Sequence, residues 1–346
     1  MAEPLCPYFG KCAGCTSQHI DYLDQLEWKR KKAIDFTGFT DVKVFESPQY
    51  HYRNRMDFFF SENIGLRKKD NPGSILDIEF CPISEMKINQ LLSEIRQDFK
   101  DAGKAFKSVV IRKNGIVFLL DENSTKLGQA IEKIKNFKTS AENVVVSHGN
   151  ESFPVKGDEI LSQELLGKTY FFPATGFFQN NTFIAKKMHE YCALLLEKYS
   201  TRNATLLDLY GGVGCFGINN AGKFKDVWII EEFSKSIECA NKNILENGIK
   251  NAKAQTLDSN KISRLNFGSL LFVIADPPRS GMDQKTIETL KNLSPEVLIY
   301  ISCNILQLRK DILKFKKYKI ESVAVFDMFP NTPHIETVVE LKRLHH

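Results

Sequence analysis

The chain has 346 residues, of which 42% are hydrophobic and 26% are charged, and its formal net charge is +5. This is the composition of an ordinary soluble globular protein, and no apolar run approaches the roughly 18 residues that a membrane-spanning helix needs. The first four residues lack the basic start and apolar stretch of a secretory signal, so we expect a cytoplasmic protein with reduced cysteines. Domains usually contain about 100 to 200 residues, so the length predicts two domains.

Basic residues are gathered in short clusters, although the overall charge is modest. The positive excess lies in the second half of the chain, and several clusters have aromatic neighbours. Such clusters either form solvated faces or neutralise the phosphates of a nucleic acid, and both interpretations stay open at this point. The clusters are Lys29-Arg30-Lys31-Lys32, Arg53 with Arg55, Arg67-Lys68-Lys69, and six basic residues between positions 309 and 319.

Four cysteines of the N-terminal region have the spacing of metal ligands. Cys6, Cys12 and Cys15 lie within ten residues and alternate with proline and glycine, and Cys81 precedes a proline much further along. Short glycine-containing loops allow three thiolates to converge on one centre, and a distant fourth ties the N-terminus to its domain. Tetrahedral zinc and an iron-sulfur cluster both suit four cysteines, so the spacing leaves the metal open.

Residues 1–165 are predicted to form an α+β domain. Apolar and aromatic residues at alternate positions predict a strand over residues 50–60. Residues 151–168 are polar and rich in turn-forming residues, which places the domain boundary near residue 165. The other predicted elements of this region are helices over 21–36, 84–100 and 127–135, and strands over 108–112, 115–121, 143–148 and 169–173.

Residues 166–346 are predicted to form a Rossmann-like α/β domain. An amphipathic helix over 185–199 precedes a buried strand, which runs into a glycine-rich turn that ends at Gly217. Glycines in such a turn allow a cofactor to approach the backbone, and Glu231, at the end of the next strand, is placed to accept hydrogen bonds from ribose hydroxyls. These features predict a nucleoside-containing cofactor.

Two strand ends indicate which cofactor this is. Asp208 lies at the end of the first strand of the domain, and Asp276-Pro277-Pro278-Arg279 ends the fourth strand. This combination is typical of an S-adenosylmethionine-dependent methyltransferase, in which Asp-Pro-Pro forms a rigid wall beside the methyl group. A nicotinamide dehydrogenase is the alternative, but no set of residues for hydride transfer is visible.

Cys303 follows the buried apolar run 297–301, where a free cysteine is usually a small core residue. Parallel strands end at one edge of their sheet, however, so Cys303 is expected to share a crevice with Asp208, Glu231 and Asp276. If the last strand, over 337–341, is antiparallel, its start brings Glu336 to the same crevice. The sequence therefore predicts a thiol and a carboxylate beside the cofactor.

With these residues assembled, the chain resembles the RNA uracil-5-methyltransferase family that carries an iron-sulfur cluster, and the resemblance covers nearly its whole length. Gly211 and Ile305 stand where that family often has cysteine and proline. The motifs that carry the resemblance are the four cysteines, Phe177-Phe178-Gln179-Asn180-Asn181, residues 208–214, residues 276–281, Ser302-Cys303-Asn304, and residues 327–330 with His334 and Glu336.

The resemblance implies a C-terminal class I methyltransferase domain, residues 166–346, and a smaller N-terminal α+β domain with a cysteine-ligated cluster, residues 1–165. Cys303 is implied as the nucleophile that adds to carbon 6 of uracil, and Glu336 as the base that removes the proton from carbon 5. Chemistry independently supports this pair, because carbon 5 is not nucleophilic enough until such an adduct forms. The implied ligand sets are Cys6, Cys12, Cys15 and Cys81 for a [4Fe-4S] cluster, and Gln179, Tyr210, Glu231 and Asp276 for S-adenosylmethionine.

The implied partner is an RNA, with neither a membrane nor an obligate protein partner indicated. The cysteine motif begins at Cys6, so we expect the protein to lack the N-terminal RNA-binding β-barrel of many relatives. This compact form is most similar to the branch that acts on a hairpin loop of 23S ribosomal RNA, and the T-loop of tRNA is the alternative. A methyltransferase acting on an exocyclic nitrogen of a base, and a non-catalytic RNA- or zinc-binding module, are the other hypotheses.

A uridine inside a helix is out of reach of a thiol, so the target base is expected to flip out of a loop and to contact aromatic side chains. The cysteines outside the motifs, Cys192, Cys215 and Cys239, are expected to be core residues. The candidates for holding the flipped base are Tyr52, Arg53, Arg55 and Phe178.

Overall fold

The computed structural model describes residues 2–99 and 106–345. The helices are α1 (Tyr22–Thr37), α2 (Met86–Asp98), α3 (Leu127–Lys135), α4 (Thr182–Glu197), α5 (Cys215–Asn220), α6 (Ser234–Glu246), α7 (Gln284–Leu293) and α8 (Ile305–Ile312). The strands up to residue 173 are β1 (Val42–Phe45), β2 (Arg55–Phe60), β3 (Ile64–Arg67), β4 (Ile75–Asp77), β5 (Ser108–Arg112), β6 (Gly115–Leu119), β7 (Asn143–His148), β8 (Glu151–Lys156), β9 (Ile160–Leu165) and β10 (Lys168–Pro173). The later strands are β11 (Thr205–Leu209), β12 (Asp226–Glu231), β13 (Ala252–Thr256), β14 (Leu271–Ala275), β15 (Val297–Ser302), β16 (Tyr318–Phe326) and β17 (Glu336–Arg343).

The C-terminal region is built on an eight-stranded sheet in the order β1-β16-β17-β15-β14-β11-β12-β13. β11 is parallel to its neighbours β12 and β14, whereas β17 is antiparallel to β15 and β16. Every residue of β11 and β14 is buried, because helices pack on both faces of the parallel part. The predicted α/β class and the antiparallel last strand are confirmed.

The N-terminal region is built on a seven-stranded sheet in the order β4-β3-β2-β5-β6-β7-β8, with α2 and α3 packed against it. The predicted alternation is present in β2, where Met56, Phe58 and Phe60 are buried. β2 begins at residue 55 rather than at residue 50, because the preceding backbone bonds elsewhere. For example, the N–H group of Asn54 donates to the carbonyl oxygen of Asn180 at 3.0 Å.

Residues 151–168, whose polar and turn-forming residues place the predicted domain boundary, contain the strands β8 and β9. β8 extends the seven-stranded sheet by pairing with β7, and β9 pairs with β10 in a separate two-stranded sheet. In β9, Leu161 and Leu165 are buried on either side of a buried polar residue, Gln163. That glutamine interrupts the apolar alternation by which the strand would have been recognised.

The segment α1-β1 lies with the C-terminal sheet, although it precedes the N-terminal sheet in sequence. β1 pairs in parallel with β16, and the rings of Phe45 and Phe326 stack with centroids 4.5 Å apart. The chain therefore starts a strand of one sheet before it builds the other. Residues 1–165 therefore contribute strands to more than one sheet. The sequence did not predict this, because the apolar pattern of a strand does not specify the strand with which it pairs.

The predicted helix over residues 84–100 corresponds to α2, which begins at Met86 because the preceding residues form a turn, with the N–H group of Ser84 donating to the carbonyl oxygen of Cys81. Residue 100 lies outside the described residues. In the described ranges no helix combines the length and the apolar content that a membrane crossing requires.

Candidate active site

A cavity of about 850 Å³, called here the large cavity, opens where the parallel strands of the eight-stranded sheet end. Glu231 ends β12, Asp276 follows β14 and Cys303 follows β15. Because β17 runs in the opposite direction, Glu336 begins that strand at the same edge. The large cavity is lined by all the residues predicted for catalysis and cofactor binding, namely Gln179, Tyr210, Glu231, Asp276, Cys303 and Glu336.

Asp208 is the exception among the acidic residues expected in the crevice. It is buried in β11, and its Oδ2 atom accepts a hydrogen bond of 2.7 Å from the N–H group of Gly217 in the first turn of α5. Burial and the negative charge of Glu231 raise the pKa of Asp208 to about 7, although the hydrogen bond from Gly217 opposes the shift. Asp208 therefore supports the glycine-rich turn from beneath the cavity.

Close packing explains why glycine occupies position 211 in this turn. A Cβ atom at Gly211 would lie 2.8 Å from the Ile229 side chain and 3.0 Å from the carbonyl oxygen of Asp208. The preceding Tyr210 has a positive φ of 61°, which side chains rarely adopt outside tight turns. This backbone geometry places Tyr210 and Gly212 in the wall of the large cavity.

Backbone hydrogen bonds hold the Glu231 carboxylate in place. Its Oε2 atom accepts from the N–H group of Gly212 at 3.2 Å, and its Oε1 atom accepts from those of Glu232 and Phe233 at 2.9 and 3.0 Å. Each carboxylate oxygen has further lone-pair capacity, so the fixed group can still accept hydrogen bonds from a ligand. This arrangement suits a ribose-binding residue.

The segment that carries Gln179 is tied to the start of β2. The Nδ2 atom of Asn54 donates to the carbonyl oxygen of Gln179 at 3.0 Å, while the neighbouring Asn181 caps α4 through its side chain. Between them, Asn180 lines the large cavity, and its Oδ1 atom is buried without a hydrogen-bond partner in the described part of the chain. A buried oxygen without a hydrogen-bond partner costs free energy. A ligand that donates a hydrogen bond to it would therefore bind more tightly.

The Cys303 thiol lies among acidic groups. Burial and the nearby carboxylates of Glu336 and Asp276 raise its pKa to about 11, and the positive charge of Arg279 opposes the shift. Burial and the charge of Asp208 raise the pKa of Asp276 to about 7. Burial, followed by the charge of Asp276, raises the pKa of Glu336 well above its usual range. A positively charged ligand among these groups would lower all three pKa values.

Hydrogen bonds fix the backbone on both sides of Cys303. The N–H group of Asn304 donates to Ser302 Oγ at 3.1 Å, and Asn304 caps α8 by accepting from the N–H group of Gln307. The Nδ2 atom of Asn304 also donates to the carbonyl oxygen of Arg279 at 2.9 Å. The thiol is therefore held between a strand end and a helix start, beside the Asp-Pro-Pro-Arg segment.

The residues predicted to hold a flipped base are only partly brought together. Arg53 lines the large cavity, whereas Tyr52 and Phe178 are core residues, and Arg55 forms an ion pair of 3.0 Å with Asp57. The neighbour of Phe178, Phe177, does line the large cavity and is 64% exposed. Both phenylalanines stand in the same motif, and composition alone does not say which one faces outward.

Residues 327–330 and His334 belong to the family motif, but sequence reasoning gave no place in the site to the loop 327–335, which joins β16 to β17. This loop contributes Phe329, Thr332, His334 and Ile335 to the wall of the large cavity. Burial and the positive charges of Arg279, Lys29, Arg53 and Lys32 lower the pKa of His334. The family motif included His334, but only the fold shows that the loop covers the cavity.

Cys6, Cys12, Cys15 and Cys81 line a second cavity of about 240 Å³, called here the cysteine cavity. Burial raises the pKa of each of the first three thiols, that of Cys15 to about 12. Within residues 2–99 and 106–345, no three His, Cys, Asp or Glu side chains are gathered in the way that one metal ion requires. The cysteine cavity and the large cavity share the wall residues Ala13, Gly14 and Arg53.

The other cysteines are separate from these ligand candidates. Cys192 and Cys239 are buried in α4 and α6, as expected for core residues. Cys215 is half-buried at the start of α5, below the glycine-rich turn.

A model of the family described as tRNA (Uracil-5-)-methyltransferase matches residues 21–344 of the chain. The tRNA (uracil(54)-C(5))-methyltransferase of Pyrococcus furiosus is 31% identical to the chain, and the match covers 98% of this chain and 85% of that protein. The protein of the same name from Pyrococcus horikoshii is 33% identical, with 97% of this chain and 85% of that protein covered.

A solved structure gives the same result at the level of the fold. The crystal structure of Pyrococcus abyssi tRNA (uracil-54, C5)-methyltransferase in complex with S-adenosyl-L-homocysteine matches with a TM-score of 0.77 and 26% sequence identity. The match covers 96% of this chain and 86% of that one, so the likeness extends to nearly all of the molecule.

Proposed function

Because the chain belongs to the tRNA (uracil-5-)-methyltransferase family, we propose that it methylates carbon 5 of the T-loop uridine of tRNA with S-adenosylmethionine as the methyl donor. The observation that carries this proposal is the position of Cys303 and Glu336 in one cavity with the expected donor-binding residues. The preference for 23S ribosomal RNA is replaced by the tRNA alternative, since the named relatives are tRNA enzymes. The motifs of the chain predict the reaction, but they do not identify the RNA that contains the target uridine.

Binding of the methyl donor uses the fixed acceptors of the large cavity. Glu231 accepts hydrogen bonds from the ribose hydroxyls of S-adenosylmethionine, and Gln179, Tyr210 and Asp276 bind its remaining parts. The donor supplies a methyl group on a positively charged sulfur atom. Within the described residues neither Asp276 nor Glu336 has a cationic partner, so a cationic ligand is favourably placed beside them.

The base chemistry begins at Cys303. The thiol gives its proton to solvent water, and the thiolate forms a bond to carbon 6 of the flipped uracil. The electron pair of the 5,6 double bond moves to carbon 5 and the carbonyl at carbon 4. Arg279, on the cavity wall, is placed to stabilise the negative charge on the uracil oxygen. Carbon 5 then takes the methyl group, and the donor leaves as S-adenosylhomocysteine.

Glu336 completes the reaction. Carbon 5 of the methylated adduct still carries its original proton, and the carboxylate of Glu336 accepts that proton while the bond between carbon 6 and Cys303 breaks. The thiolate leaves and the 5,6 double bond is restored. Burial and the neighbouring Asp276 raise the pKa of Glu336, which makes its carboxylate a stronger proton acceptor than an exposed one.

We propose that Cys6, Cys12, Cys15 and Cys81, which line the cysteine cavity, would hold a [4Fe-4S] cluster. Four thiols around one cavity of about 240 Å³ provide the donor set and room for a group larger than a single ion. The N–H group of Gly14 donates to Cys12 Sγ at 3.4 Å, a contact that stabilises a bound thiolate. Methyl transfer contains no redox step, so the cluster's role is structural. Colourless, iron-free protein holding zinc after anaerobic purification would refute this assignment.

The function is tested with the variant Cys303→Ala and the control Cys239→Ala, whose cysteine is buried in α6 away from the large cavity. With tRNA lacking 5-methyluridine, we expect the control to form 5-methyluridine as the wild type does, and Cys303→Ala to form none. tRNA containing 5-fluorouridine is expected to give a stable adduct with the wild type, because fluorine does not leave as a proton does. Methylation by Cys303→Ala near the wild-type rate would exclude covalent catalysis.

A further inference from the structure

The loop 327–335 links the wall of the large cavity to Glu336. Its start and end are brought together by the pairing of Phe326 with Glu336 across β16 and β17. Between these ends, Phe329, Thr332 and His334 line the large cavity. Any displacement of the loop therefore acts both on the cavity wall and on the residue that begins β17.

The middle of this loop is held by Asn331, which is fully buried and has a positive φ of 64°. Its N–H group donates to Gln25 Oε1 at 3.0 Å, and its Oδ1 atom accepts from Gln25 Nε2 at 3.3 Å. Its Nδ2 atom donates to the carbonyl oxygen of Gln49 at 3.0 Å. Its own carbonyl oxygen accepts from the N–H groups of Thr16 and Ser17, both at 3.0 Å. Asn331 thus joins three segments that are distant in sequence.

The start of the loop is anchored to the same helix. Lys29 Nζ donates to Asp327 Oδ1 at 2.6 Å and to the carbonyl oxygen of Phe329 at 3.3 Å, and the hydroxyl of Tyr22 donates to Asp327 Oδ2 at 2.8 Å. Tyr22, Gln25 and Lys29 are spaced three and four residues apart, so they lie on one face of α1. That face is a polar docking strip for the loop.

The contacts of Thr16 and Ser17 connect this loop to the cysteine motif, because Cys15 directly precedes them. Gln25 strengthens the connection, since its Nε2 atom also donates to the carbonyl oxygen of Ser17 at 3.0 Å. Ala13 and Gly14, on the other side of Cys15, line both cavities. The segment 13–17 therefore contacts the large cavity directly and reaches its loop through Asn331.

We propose that Asn331 is a positioning residue, which makes the placement of the loop 327–335, and hence of Glu336, depend on an ordered cysteine segment. The inference rests on the proposed role of Glu336 as the base. It implies that disorder of the cysteine segment slows proton removal from carbon 5 more than it slows the attack of Cys303. Cys303 is held separately, by Ser302 and Asn304.

Asn331→Gly is the variant of choice, because glycine accepts the positive φ and keeps the backbone contacts, while the side-chain contacts to Gln25 Nε2 and to the carbonyl oxygen of Gln49 are lost. With ordinary tRNA, we expect its turnover to fall about 10- to 100-fold, the range for a misplaced catalytic group. The methylated covalent adduct should accumulate during a single turnover and be visible as a tRNA-linked protein on a denaturing gel. Gln25→Ala removes the partner side of the contact and should give the same accumulation.

The control is Asn251→Ala, which also removes an amide that ties backbone segments together, namely the carbonyl oxygens of Ala221 and Phe224 at the far edge of the sheet. It is expected to lower the melting temperature without accumulation of adduct. If Asn331→Gly and Gln25→Ala lower the melting temperature and slow all steps equally, without adduct, the positioning role is wrong.

A second measurement is independent of activity. Hydrogen exchange of peptides covering residues 327–336 is compared in the wild type before and after reconstitution with iron and sulfide, and in Asn331→Gly treated in the same way. We expect reconstitution to slow exchange of this loop in the wild type and to slow it less in the variant, which keeps only the backbone contacts of residue 331. Equal responses of the two proteins would overturn the proposal. Failure of the wild type to trap 5-fluorouridine tRNA would instead count against the proposed function.

Discussion

Asp327 and Glu336 are buried carboxylates at the two ends of one loop, and they differ in what surrounds them. Asp327 is paired with Lys29 at 2.6 Å and accepts a second hydrogen bond from Tyr22. Glu336 has Asp276 as its charged neighbour and, among the described residues, no cationic partner. A buried acid with a fixed cation anchors the chain, whereas a buried acid without one binds protons tightly and remains free to react. The anchoring carboxylate and the proposed catalytic carboxylate are thus separated by the eight residues 328–335.

The largest effect is expected from Glu336→Gln, which keeps the shape of the side chain and removes the proton acceptor. Turnover should fall about 10²- to 10⁴-fold, the usual contribution of general base catalysis, and the methylated adduct should accumulate. Steady-state methylation and denaturing gels measure the two effects. Glu246→Gln, at the end of α6, is the matched control. Loss of adduct formation in Glu336→Gln would mean that Glu336 acts before methyl transfer.

The anchoring end of the loop is tested by Lys29→Met, because the methionine fills the space and leaves the Asp327 charge without its cation. Breaking a buried ion pair from one side costs about 3 to 5 kcal/mol of the free energy of unfolding. Lys31→Met, two residues away with a side chain 69% exposed, should not change it measurably. Urea denaturation measures the free energy of unfolding of both variants. Equal stabilities would mean that the Lys29–Asp327 pair does not anchor the loop.

Phe177 and Phe178 differ in a similar way. Phe177 lies exposed at the large cavity, whereas Phe178 is buried in the core. Phe177→Ala should weaken tRNA binding by about 1 to 3 kcal/mol, the value of one base stacked on an aromatic ring, without lowering stability. Phe178→Ala should cost about 3 to 5 kcal/mol of unfolding free energy, because its ring is buried and stacks on Phe172 with centroids 4.6 Å apart. Filter binding and urea unfolding together separate the two roles, and the reverse pattern would contradict them.

A smaller effect is expected from the titration of Asp276, whose pKa is raised to about 7. Affinity for the cationic methyl donor should rise with pH as this carboxyl ionises, by up to about tenfold per pH unit below 7, and level off above it. The stability of the ligand-free protein should change in the opposite direction and fall as the pH rises. A carboxyl pKa raised by folding adds stability at low pH, and that stability is lost as the pH rises through 7.

Calorimetric titration of the donor between pH 5.5 and 8.5 measures the first trend, and thermal melting of the ligand-free protein measures the second. Asp276→Asn is expected to bind the donor weakly and with little pH dependence. An unchanged pH profile in this variant would assign the titration to another group.

The sequence predicted the large cavity well because its residues stand at strand ends. Glu231, Asp276 and Cys303 each end an apolar run, and the topology of a parallel sheet brings such ends together. Glu336 required one more assumption, an antiparallel last strand, and the register of β17 against β15 satisfies it. Local pattern and general sheet geometry were sufficient for these residues.

The docking strip on α1 was not predictable in the same way. Lys29 stands in a run of four basic residues and was assigned to an exposed cluster, yet it is buried against Asp327. Its partner lies almost three hundred residues later, and nothing in a local pattern separates an exposed lysine from one with a distant carboxylate. The same limit explains why Tyr52 was expected to hold the base although it is a core residue.

The pairing of β1 with β16 also sets a constraint on synthesis of the protein. Val42 is made long before its partner Val323, so the edge of the C-terminal sheet closes only after β16 has been made. Until then β1 is an unpaired strand that other chains can capture. A fragment beginning at residue 166 would in turn leave the β16 edge open and the Asp327 charge without Lys29. The methyltransferase half is therefore not expected to persist as an independent protein.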